Sequence, residues 1–402
     1  MLNRRTFIAA NLAATLAPTF AHAQAQTPGV TATEIKIGNT FAYSGPASSF
    51  ATHAKTAAAY FKMVNDQGGV AGRKLNFISY DDGAAPPRAI EQVRRLVEQD
   101  QVAILFNTFG TAANSAIVRY VNEKKVPQLF VYSGADKFSD PKTYPWTLGW
   151  QPSYRVEGQI YAKYIRAEKP NAKIGMLFQN DDFGKDYLAG VKDVLGASAD
   201  TMLKTASHEL TDASIDSQLL QLHSAGIDVL ISATSPKFVA MAIRKNAEQA
   251  KPPLHIITNI ATSISSVMTP AGLDKGTGTI SSAYLKDPND PAWADDAGLR
   301  DWRAFMAKYY PEGDLKDINN LIGYCFAYTL VKVLQACGND FSRENVMKHA
   351  ASMNNVAVPG LLPGITLNTS PRDYRPIRQL QLARFDGKTW VRFGQVIKGA
   401  DL

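Results

Sequence analysis

The chain has 402 residues, 45% of them apolar and 20% charged, with a formal net charge of +7. This length exceeds what one hydrophobic core usually serves, so two domains are expected. Basic and acidic residues are interspersed, without a basic block or a stripe of arginines and aromatics, which excludes a nucleic-acid-binding class.

Residues 1–23 have the layout of a secretory signal peptide. The pair Arg4-Arg5 precedes an apolar run over residues 7–17, and Ala21-His22-Ala23 forms a cleavage site of the A-x-A type. The run is too short to span a membrane, and no other run approaches the ~20 apolar residues that a membrane helix needs. Two export routes stay open, the general secretory one (Sec) and the twin-arginine one. We therefore expect a periplasmic mature protein with a net charge of +5.

After residue 33, short runs rich in β-branched residues alternate with amphipathic segments of helical period. The predicted strands of this first unit are Ile35–Phe41, Leu75–Tyr80, Val102–Phe106 and Gln128–Tyr132. Between the first two, Ala57, Phe61 and Val64 recur at helical spacing, and Gly68-Gly69 ends that helix. Such alternation predicts a mostly parallel sheet covered by helices on both faces.

The same alternation begins again after the first unit, although no literal internal repeat is visible. The predicted elements are a helix near Arg155–Ala167, a strand at Ile174–Phe178, a helix containing Tyr187, Val191 and Val194, a strand at Val229–Ala233, a helix at Phe238–Gln249 and a strand at His255–Thr258. Residues 34–148 and 150–282 thus form two similar α/β units.

The C-terminal third does not form a third unit. It supplies two long predicted helices, Trp293–Tyr310 and Leu321–Ala336, and a hairpin turning at Asp386-Gly387. These elements most simply complete the two units, so the chain crosses between them near residues 146–151, 282–288 and 359–376. The predicted fold class is α/β, with two similar doubly wound lobes joined by a hinge of several segments. The first lobe comprises residues 34–148 and 284–358, and the second residues 149–283 and 359–402.

Two cysteines, Cys325 and Cys337, fall in or beside the second of these helices. Twelve helical residues would separate them by ~18 Å, whereas a disulfide reaches ~7 Å. We expect two buried free thiols.

In open α/β sheets, ligands bind beyond the carboxyl ends of the strands. Small and polar residues follow the predicted strands here: Ala42–Phe50, Asn107–Ser115 and Tyr132–Phe138 in the first unit, and Gln179–Gly184, Ala233–Phe238 and Thr258–Ser263 in the second.

The segment Phe109-Gly110-Thr111 is the most informative of these strand ends. A glycine and a hydroxyl residue open a helix there, and the unpartnered N–H groups of its first turn suit a carboxylate. Two roles stay open for Thr111, a ligand contact and a plain N-cap. Ser133-Gly134 offers a second hydroxyl and an approachable backbone.

Aromatic residues occupy the same loops and the first crossing, which favours a pocket with aromatic walls. They are Tyr43, Phe50, Phe109, Tyr132, Phe183, Trp150 and Tyr154.

Catalytic signatures are absent from the sequence. It contains no G-x-S-x-G, H-E-x-x-H, P-loop or G-x-G-x-x-G motif, and its histidines lack metal-ligand spacing. The expectation is a non-enzymatic protein without a cofactor or a metal.

An exported pair of α/β lobes with serine- and glycine-rich strand ends resembles the type I periplasmic solute-binding proteins. More narrowly, it is similar to the leucine/isoleucine/valine-binding family that feeds ABC importers. The segments that carry the likeness are IKIGNTFAYSGPASSFA, AAYFKMVNDQGGVAGRKLNFISYDD, VYSGA and NDDFGKDYLAGVKDVL. It covers most of the mature chain and is strongest over residues 34–195.

The resemblance implies where a ligand would bind. In that family the first lobe holds the ligand carboxylate through hydroxyls and backbone N–H groups, at positions that match Phe109–Thr111 and Ser133–Asp136 (Ser133, Gly134, Ala135 and Asp136) here. Phe50 and Phe183 match aromatic walls, and Thr234 matches a position that is often larger and faces the ligand.

One departure concerns the second lobe. Amino-acid binders of the family place a glutamate at a strand end to take the ammonium, and the matching stretch here, Thr258–Ala261 with Asn259, has no acid. An unpaired buried ammonium costs ~3–5 kcal/mol. Asp136 or Asp182 are candidate substitutes. Three ligand classes stay open: a branched-chain amino acid, an amine-free or aromatic carboxylate, and an amide or urea-like compound.

The leading functional hypothesis is a monomeric receptor that delivers a small carboxylate to ABC permease and ATPase subunits in the membrane. The alternative is a periplasmic sensory module for a signalling partner, and an exported enzyme comes third because the catalytic constellations are missing.

Overall fold

In the computed structural model, residues 27–398 are described, and they form two α/β lobes. The predicted signal peptide, residues 1–23, lies outside the described residues. The strands are β1 (Glu34–Phe41), β2 (Lys74–Asp81), β3 (Ile104–Phe106), β4 (Gln128–Val131), β5 (Thr147–Gly149), β6 (Ile174–Gln179), β7 (Leu203–His208), β8 (Val229–Ala233), β9 (Leu254–Ile257), β10 (Ile280–Ala283), β11 (Gln379–Phe385) and β12 (Trp390–Lys398).

The α-helices lie between and after these strands. They are α1 (Ala51–Asp66), α2 (Pro86–Arg94), α3 (Thr111–Glu123), α4 (Tyr154–Glu168), α5 (Asp182–Leu195), α6 (Ala199–Met202), α7 (Asp216–Ser224), α8 (Pro236–Ala247), α9 (Thr269–Ala271), α10 (Leu273–Gly276), α11 (Ala297–Tyr309), α12 (Ile318–Ala336) and α13 (Arg343–Ala350).

The two sheets share one strand order. The first sheet runs β2-β1-β3-β4-β5, and all of its neighbouring strands pair in parallel. In the second sheet, β7-β6-β8-β9-β10 repeats that parallel order, and the antiparallel strands β11 and β12 extend its far edge. The structure therefore shows, in topology, the internal repeat that the residues themselves do not display.

Helices cover both faces of each sheet because each helix buries one apolar stripe. In the first lobe, α2 and α3 contribute Val93 and Ile117 to the core on one face, while α1 and α12 pack on the other. In the second lobe, α4 and α5 cover one face with side chains such as Ile160, and α7 and α8 cover the opposite face with Leu219 and Phe238. Both lobes are doubly wound, as the sequence pattern predicts.

The C-terminal third is shared between the lobes. Helices α11 and α12 pack against α1 of the first lobe, and α13 packs against α12. The predicted hairpin forms β11 and β12, and the Asp386 carboxylate closes its turn by accepting the N–H groups of Lys388 and Thr389, both at 2.8 Å. The exact lobe boundaries given above remain predictions.

Some elements differ from the sequence prediction. The helix predicted from Trp293 begins at Ala297, because the Asp296 carboxylate accepts the Leu299 N–H (3.0 Å) and so caps the helix there. Strands β5, β7 and β10 were not predicted: β5 has 3 residues, and β7 reads LKTASH, without a regular apolar alternation. Cys325 and Cys337 are buried free thiols.

Candidate functional site

A cavity of about 520 Å³, a volume that includes space open to solvent, lies where the strand-end loops of the two lobes face each other. We call it the cleft cavity. Its wall consists of residues at the carboxyl ends of four strands of each sheet, together with Tyr154 of α4. The lining residues are Ala47, Phe50, Ala84, Phe109, Gly110, Thr111, Ala112, Ala113, Tyr132, Tyr154, Gln179, Asp181, Phe183, Leu210, Ser235 and Ile260. This is where ligands bind in open α/β sheets, beyond the carboxyl ends of the strands.

The N-terminus of α3 points three backbone donors at this cavity. Gly110 is the N-cap, with φ of 83° and no side chain to satisfy the first turn, and the first helical bond joins the Asn114 N–H to the Gly110 carbonyl at 3.0 Å. The N–H groups of Thr111, Ala112 and Ala113 have no acceptor among the described residues. Free donors at the positive end of a helix form a site for an anion.

The Thr111 hydroxyl does not cap the helix, so the N-cap interpretation of this residue is wrong. Thr111 is the first helical residue, and its hydroxyl lies 2.8 Å from the Ser133 hydroxyl. Ser133 is 1% exposed and its oxygen also accepts the Ala135 N–H at 3.2 Å. Ser133 therefore orients Thr111 from behind the cavity wall.

Gly134 lets the start of α4 come close to the loop that follows β4. A Cβ at this position would lie 2.4 Å from the Pro152 carbonyl oxygen and 2.7 Å from the Tyr154 ring. The Tyr154 N–H donates to the Gly134 carbonyl at 2.9 Å. Only glycine allows this approach, which brings Tyr154 to the cavity wall.

Aromatic rings form the apolar walls. On the first lobe, the ring of Phe109 lies 5.2 Å from that of Phe50 and stacks on Tyr132 at 5.6 Å. On the second lobe, Phe183 meets Tyr154 edge to face at 4.9 Å. Such rings bury apolar ligand surface while keeping a fixed geometry.

The second lobe adds polar groups that lie in the predicted strand-end loops Gln179–Gly184 and Ala233–Phe238. The Asp181 carboxylate caps α5 by accepting the Gly184 N–H (3.3 Å) and also accepts the Gln179 side-chain N–H (2.7 Å); burial raises its pKa. The side-chain carbonyl oxygen (Oε1) of Gln179 and the Ser235 hydroxyl are buried and have no hydrogen-bond partner among the described residues. Their sequence signal is their position at or just beyond the end of a strand.

The structure places seven of the predicted site residues on the cavity wall: Phe50, Phe109, Gly110, Thr111, Tyr132, Tyr154 and Phe183. The others lie elsewhere. The Tyr43 hydroxyl bonds to Ser79 at 2.6 Å, Thr234 is buried with its hydroxyl 2.5 Å from His208 Nε2, and Asn259 lines a second cavity. Ser133, Gly134 and Ala135 lie behind the wall.

Asp136 and Asp182, the proposed substitutes for the missing glutamate, do not line the cavity; Asp181 does. Asp182 forms an ion pair with Lys137 across the two lobes and accepts the Ser115 hydroxyl at 3.1 Å. The Asp136 N–H donates to Asp186 of the second lobe at 3.0 Å, and its carboxylate accepts the Ser153 hydroxyl. These contacts join the lobes.

A buried carboxylate that the sequence did not reveal lies beneath Asn259. Glu157 of α4 is 0% exposed and accepts the Asn259 backbone N–H (2.8 Å), the Asn259 side-chain N–H (2.5 Å), the Tyr187 hydroxyl (2.6 Å), the Ser282 hydroxyl (3.0 Å) and the Tyr161 hydroxyl. Burial raises its pKa. Because protein donors occupy both oxygens, Glu157 fixes the Asn259 loop and does not face a ligand.

Residues 27–398 contain no group of three or more His, Cys, Asp or Glu side chains placed to hold a metal ion. Over the same range, none of the helices has both the length and the apolar character needed to cross a membrane.

Known proteins share this architecture. A model of the periplasmic binding protein family matches residues 34–389. Leu/Ile/Val-binding protein homolog 7 of Brucella suis biovar 1 (strain 1330) is 23% identical over 209 residues, which are 50% of this chain and 52% of that protein. The chain thus spans about half the length of the curated relatives it matches.

Two solved structures superpose over nearly the whole chain. A branched-chain amino acid ABC transporter protein from Thermus thermophilus with bound valine has a TM-score of 0.82 at 17% identity, covering 92% of this chain and 98% of that one. A solute-binding protein of an ABC transporter from R. palustris in complex with benzoate has a TM-score of 0.76 at 20% identity, with coverages of 92% and 97%. At such identities the likeness establishes the fold. The family match over most of the sequence, the paired parallel-dominated lobes and the curated relatives show that the chain belongs to the periplasmic binding protein family, in its type I leucine/isoleucine/valine-binding branch.

Proposed function

We propose that the protein is the extracytoplasmic solute receptor of an ABC importer and that it closes on a small carboxylate, which it leaves chemically unchanged. The observation that carries this proposal is the N-terminus of α3, where three N–H groups and the Thr111 hydroxyl meet at the cleft cavity. A carboxylate needs this combination of donors and positive dipole. Permease and ATPase subunits in the membrane are the partners that this role requires, and we expect the receptor to act as a monomer.

The ligand that we favour is an aromatic or apolar acid without an ammonium group. Thr258–Ala261 carries no acid, Glu157 is occupied by protein donors, and the cavity walls are rings. Lys, Arg and His do not occur among the residues that line the cavity, so the α3 N-terminus provides its positive potential. One protein of the same fold binds benzoate.

A second candidate, an α-amino acid, is favoured by one observation, the Asp181 carboxylate on the opposite wall. With the ligand carboxylate at α3, an ammonium group could bind the Asp181 carboxylate and the unpartnered side-chain carbonyl oxygen of Gln179. Another protein of this fold binds valine.

The substitution Asp181→Asn separates the two candidates. For an amino acid, loss of the counter-charge should weaken binding at least tenfold. For an amine-free acid, loss of a like charge should leave binding equal or make it tighter. The exposed Asp200 of the same lobe provides the matched control Asp200→Asn, which should change neither the affinity for amino acids nor the affinity for amine-free acids.

Calorimetry would compare leucine, valine and phenylalanine with benzoate and 3-phenylpropanoate, on protein that has been unfolded and refolded to release any co-purified ligand. Mass spectrometry of the released fraction would identify the natural compound. Micromolar binding of leucine or valine, with the acids silent, would reject the amine-free ligand. Absence of binding by every carboxylate would reject the proposed function.

A further inference from the structure

A second cavity lies beside the cleft cavity and holds about 470 Å³. We call it the hinge cavity, because Gln151 and Tyr284, from the first and second chain crossings, both line it. Its other walls are mainly apolar and include Leu285, Ile322 and Trp390.

We propose that the hinge cavity is a second ligand subsite, in which the Gln151 amide binds a hydroxyl group at the far end of an elongated carboxylic acid. The proposal rests on the proposed function, since the carboxylate end is placed at the N-terminus of α3. It extends the proposed function by specifying that the ligand is elongated and that its far end carries a hydroxyl group.

The two cavities are neighbours. Ile260 lines both of them, so a single side chain forms part of the partition. Tyr284 of the hinge cavity also lies near Tyr132 of the cleft cavity: burial, and then the nearby Tyr284, raise the pKa of the Tyr132 hydroxyl. An extended ligand that passes Ile260 would therefore leave one cavity and reach the other.

Gln151 supplies the chemical argument. Its side chain is 4% exposed, and neither its carbonyl oxygen nor its amide nitrogen has a hydrogen-bond partner among the described residues, although the Tyr284 hydroxyl is close by. Buried amides are normally paired, and an unpaired one is costly. The buried Glu157 nearby, by contrast, has both carboxylate oxygens paired with protein donors. A ligand hydroxyl, which both donates and accepts, could pair with this amide.

The charges around the hinge cavity restrict which chemical group the far end of the ligand can carry. Asp287 lines it, and its carboxylate already accepts the backbone and side-chain N–H groups of Asn289, both at 2.9 Å. A second carboxylate on the ligand would face this charge without a cation on the wall. The distal group is therefore not a carboxylate, and a neutral hydroxyl matches the donor and acceptor of the Gln151 amide.

Calorimetry on a matched pair, 3-phenylpropanoate and 3-(4-hydroxyphenyl)propanoate, tests the proposal. We expect the hydroxylated acid to bind about tenfold tighter, the effect of one net hydrogen bond in a buried site. Gln151→Leu should remove this preference and leave the affinity for 3-phenylpropanoate within threefold of the parent. Gln221→Leu, the same change at an exposed position of α7, should keep the preference.

A second variant tests the same subsite independently, in case Gln151→Leu does not fold. Ile322→Phe reduces the hinge cavity and should weaken the hydroxylated acid more than tenfold while benzoate, which is short, binds as before. Equal affinities for the matched pair, or a parallel loss for benzoate and the long acid in Ile322→Phe, would overturn the subsite and leave the receptor function standing. Failure of all three acids to bind would overturn the subsite, and failure of the amino acids to bind as well would overturn the receptor function.

Discussion

Glu157 gives the sharpest test of how the second lobe is held together. Replacement by alanine removes the acceptor of five hydrogen bonds, from Tyr161, Tyr187, Ser282 and both N–H groups of Asn259. Each buried donor left unpaired costs about 1–3 kcal/mol, but hydroxyls rotate and water can enter the space. We therefore expect Glu157→Ala to lower the free energy of unfolding by about 3–5 kcal/mol, the range for breaking a buried charged network.

Glu157→Gln should be much milder. Burial raises the Glu157 pKa, which means that the folded protein disfavours the charge relative to the neutral acid. A neutral amide of the same shape keeps one oxygen as the acceptor for Tyr161, Ser282 and the Asn259 backbone N–H. Its NH₂ group then takes the other position, where the Tyr187 hydroxyl can turn and the Asn259 side-chain amide can flip to accept from it. The expected cost is about 1 kcal/mol or less, and Tyr187→Phe, which removes one partner, should cost about 1 kcal/mol.

Urea unfolding at pH 7, followed by circular dichroism, measures these differences. The order of destabilisation should be Glu157→Ala first, with Glu157→Gln and Tyr187→Phe well below it. The raised pKa also fixes the sign of the pH effect: the contribution of Glu157 is greatest below its unfolded pKa and declines as the pH rises toward the folded value. Glu157→Gln should flatten that slope. An alanine variant as stable as the parent, or a glutamine variant as unstable as the alanine one, would refute the assigned role.

Three further predictions concern the cleft. Thr111→Ala should weaken carboxylate binding by about 1–2 kcal/mol in calorimetry, and Ser133→Ala should do the same by releasing the Thr111 hydroxyl; parent-like binding by both variants would place the carboxylate elsewhere. Burial, with Asp136 and Asp182 nearby, raises the Asp186 pKa to about 7, so the contact between Asp186 and Asp136 of the other lobe should be strongest below this pH and weaken as the pH rises through it. X-ray scattering should therefore give a larger radius of gyration at pH 8 than at pH 6, and Asp186→Asn should abolish the difference. Equal radii for the parent protein at the two pH values would contradict this prediction. Scattering should also show compaction when a saturating carboxylate is added, and an unchanged radius of gyration would argue against hinge closure.

The fold could be predicted because it depends on patterns that are local in the sequence. Apolar runs such as Ile174–Phe178 and the helical spacing of Ala57, Phe61 and Val64 gave the βαβ alternation, and the resemblance to the periplasmic binding proteins is confirmed. The strand β7 was missed because two consecutive exposed polar residues, Lys204 and Thr205, separate its buried Leu203 and Ala206, so neither an apolar run nor a strict alternation marks it.

The site was predictable only as a set of loops. Because parallel strands end at the same edge of a sheet, a position just after a strand was enough to predict that Phe109–Thr111 and Phe183 lie near the site. That position does not predict the direction in which each side chain points. Which neighbour faces the cavity depends on tertiary contacts: Asp182 turns to Lys137 of the other lobe, and Asp181 lines the wall instead. Glu157 was missed because it lies in a helix about 100 residues before the loop that it anchors.

The packing of α12 on α1 has a consequence for the order in which the chain can fold. A Cβ at Gly323 would lie 2.3 Å from the His53 carbonyl oxygen, the Thr56 hydroxyl donates to Asn320 at 2.8 Å, and the Trp150 indole donates to Thr329 at 3.0 Å. The first lobe is thus closed by a helix that is synthesised after most of the second lobe. A nascent chain that ends before residue 318 would hold an uncovered apolar face on α1, open to proteases and to chaperones that bind such faces. Completion of the N-terminal lobe is therefore a late event in biosynthesis.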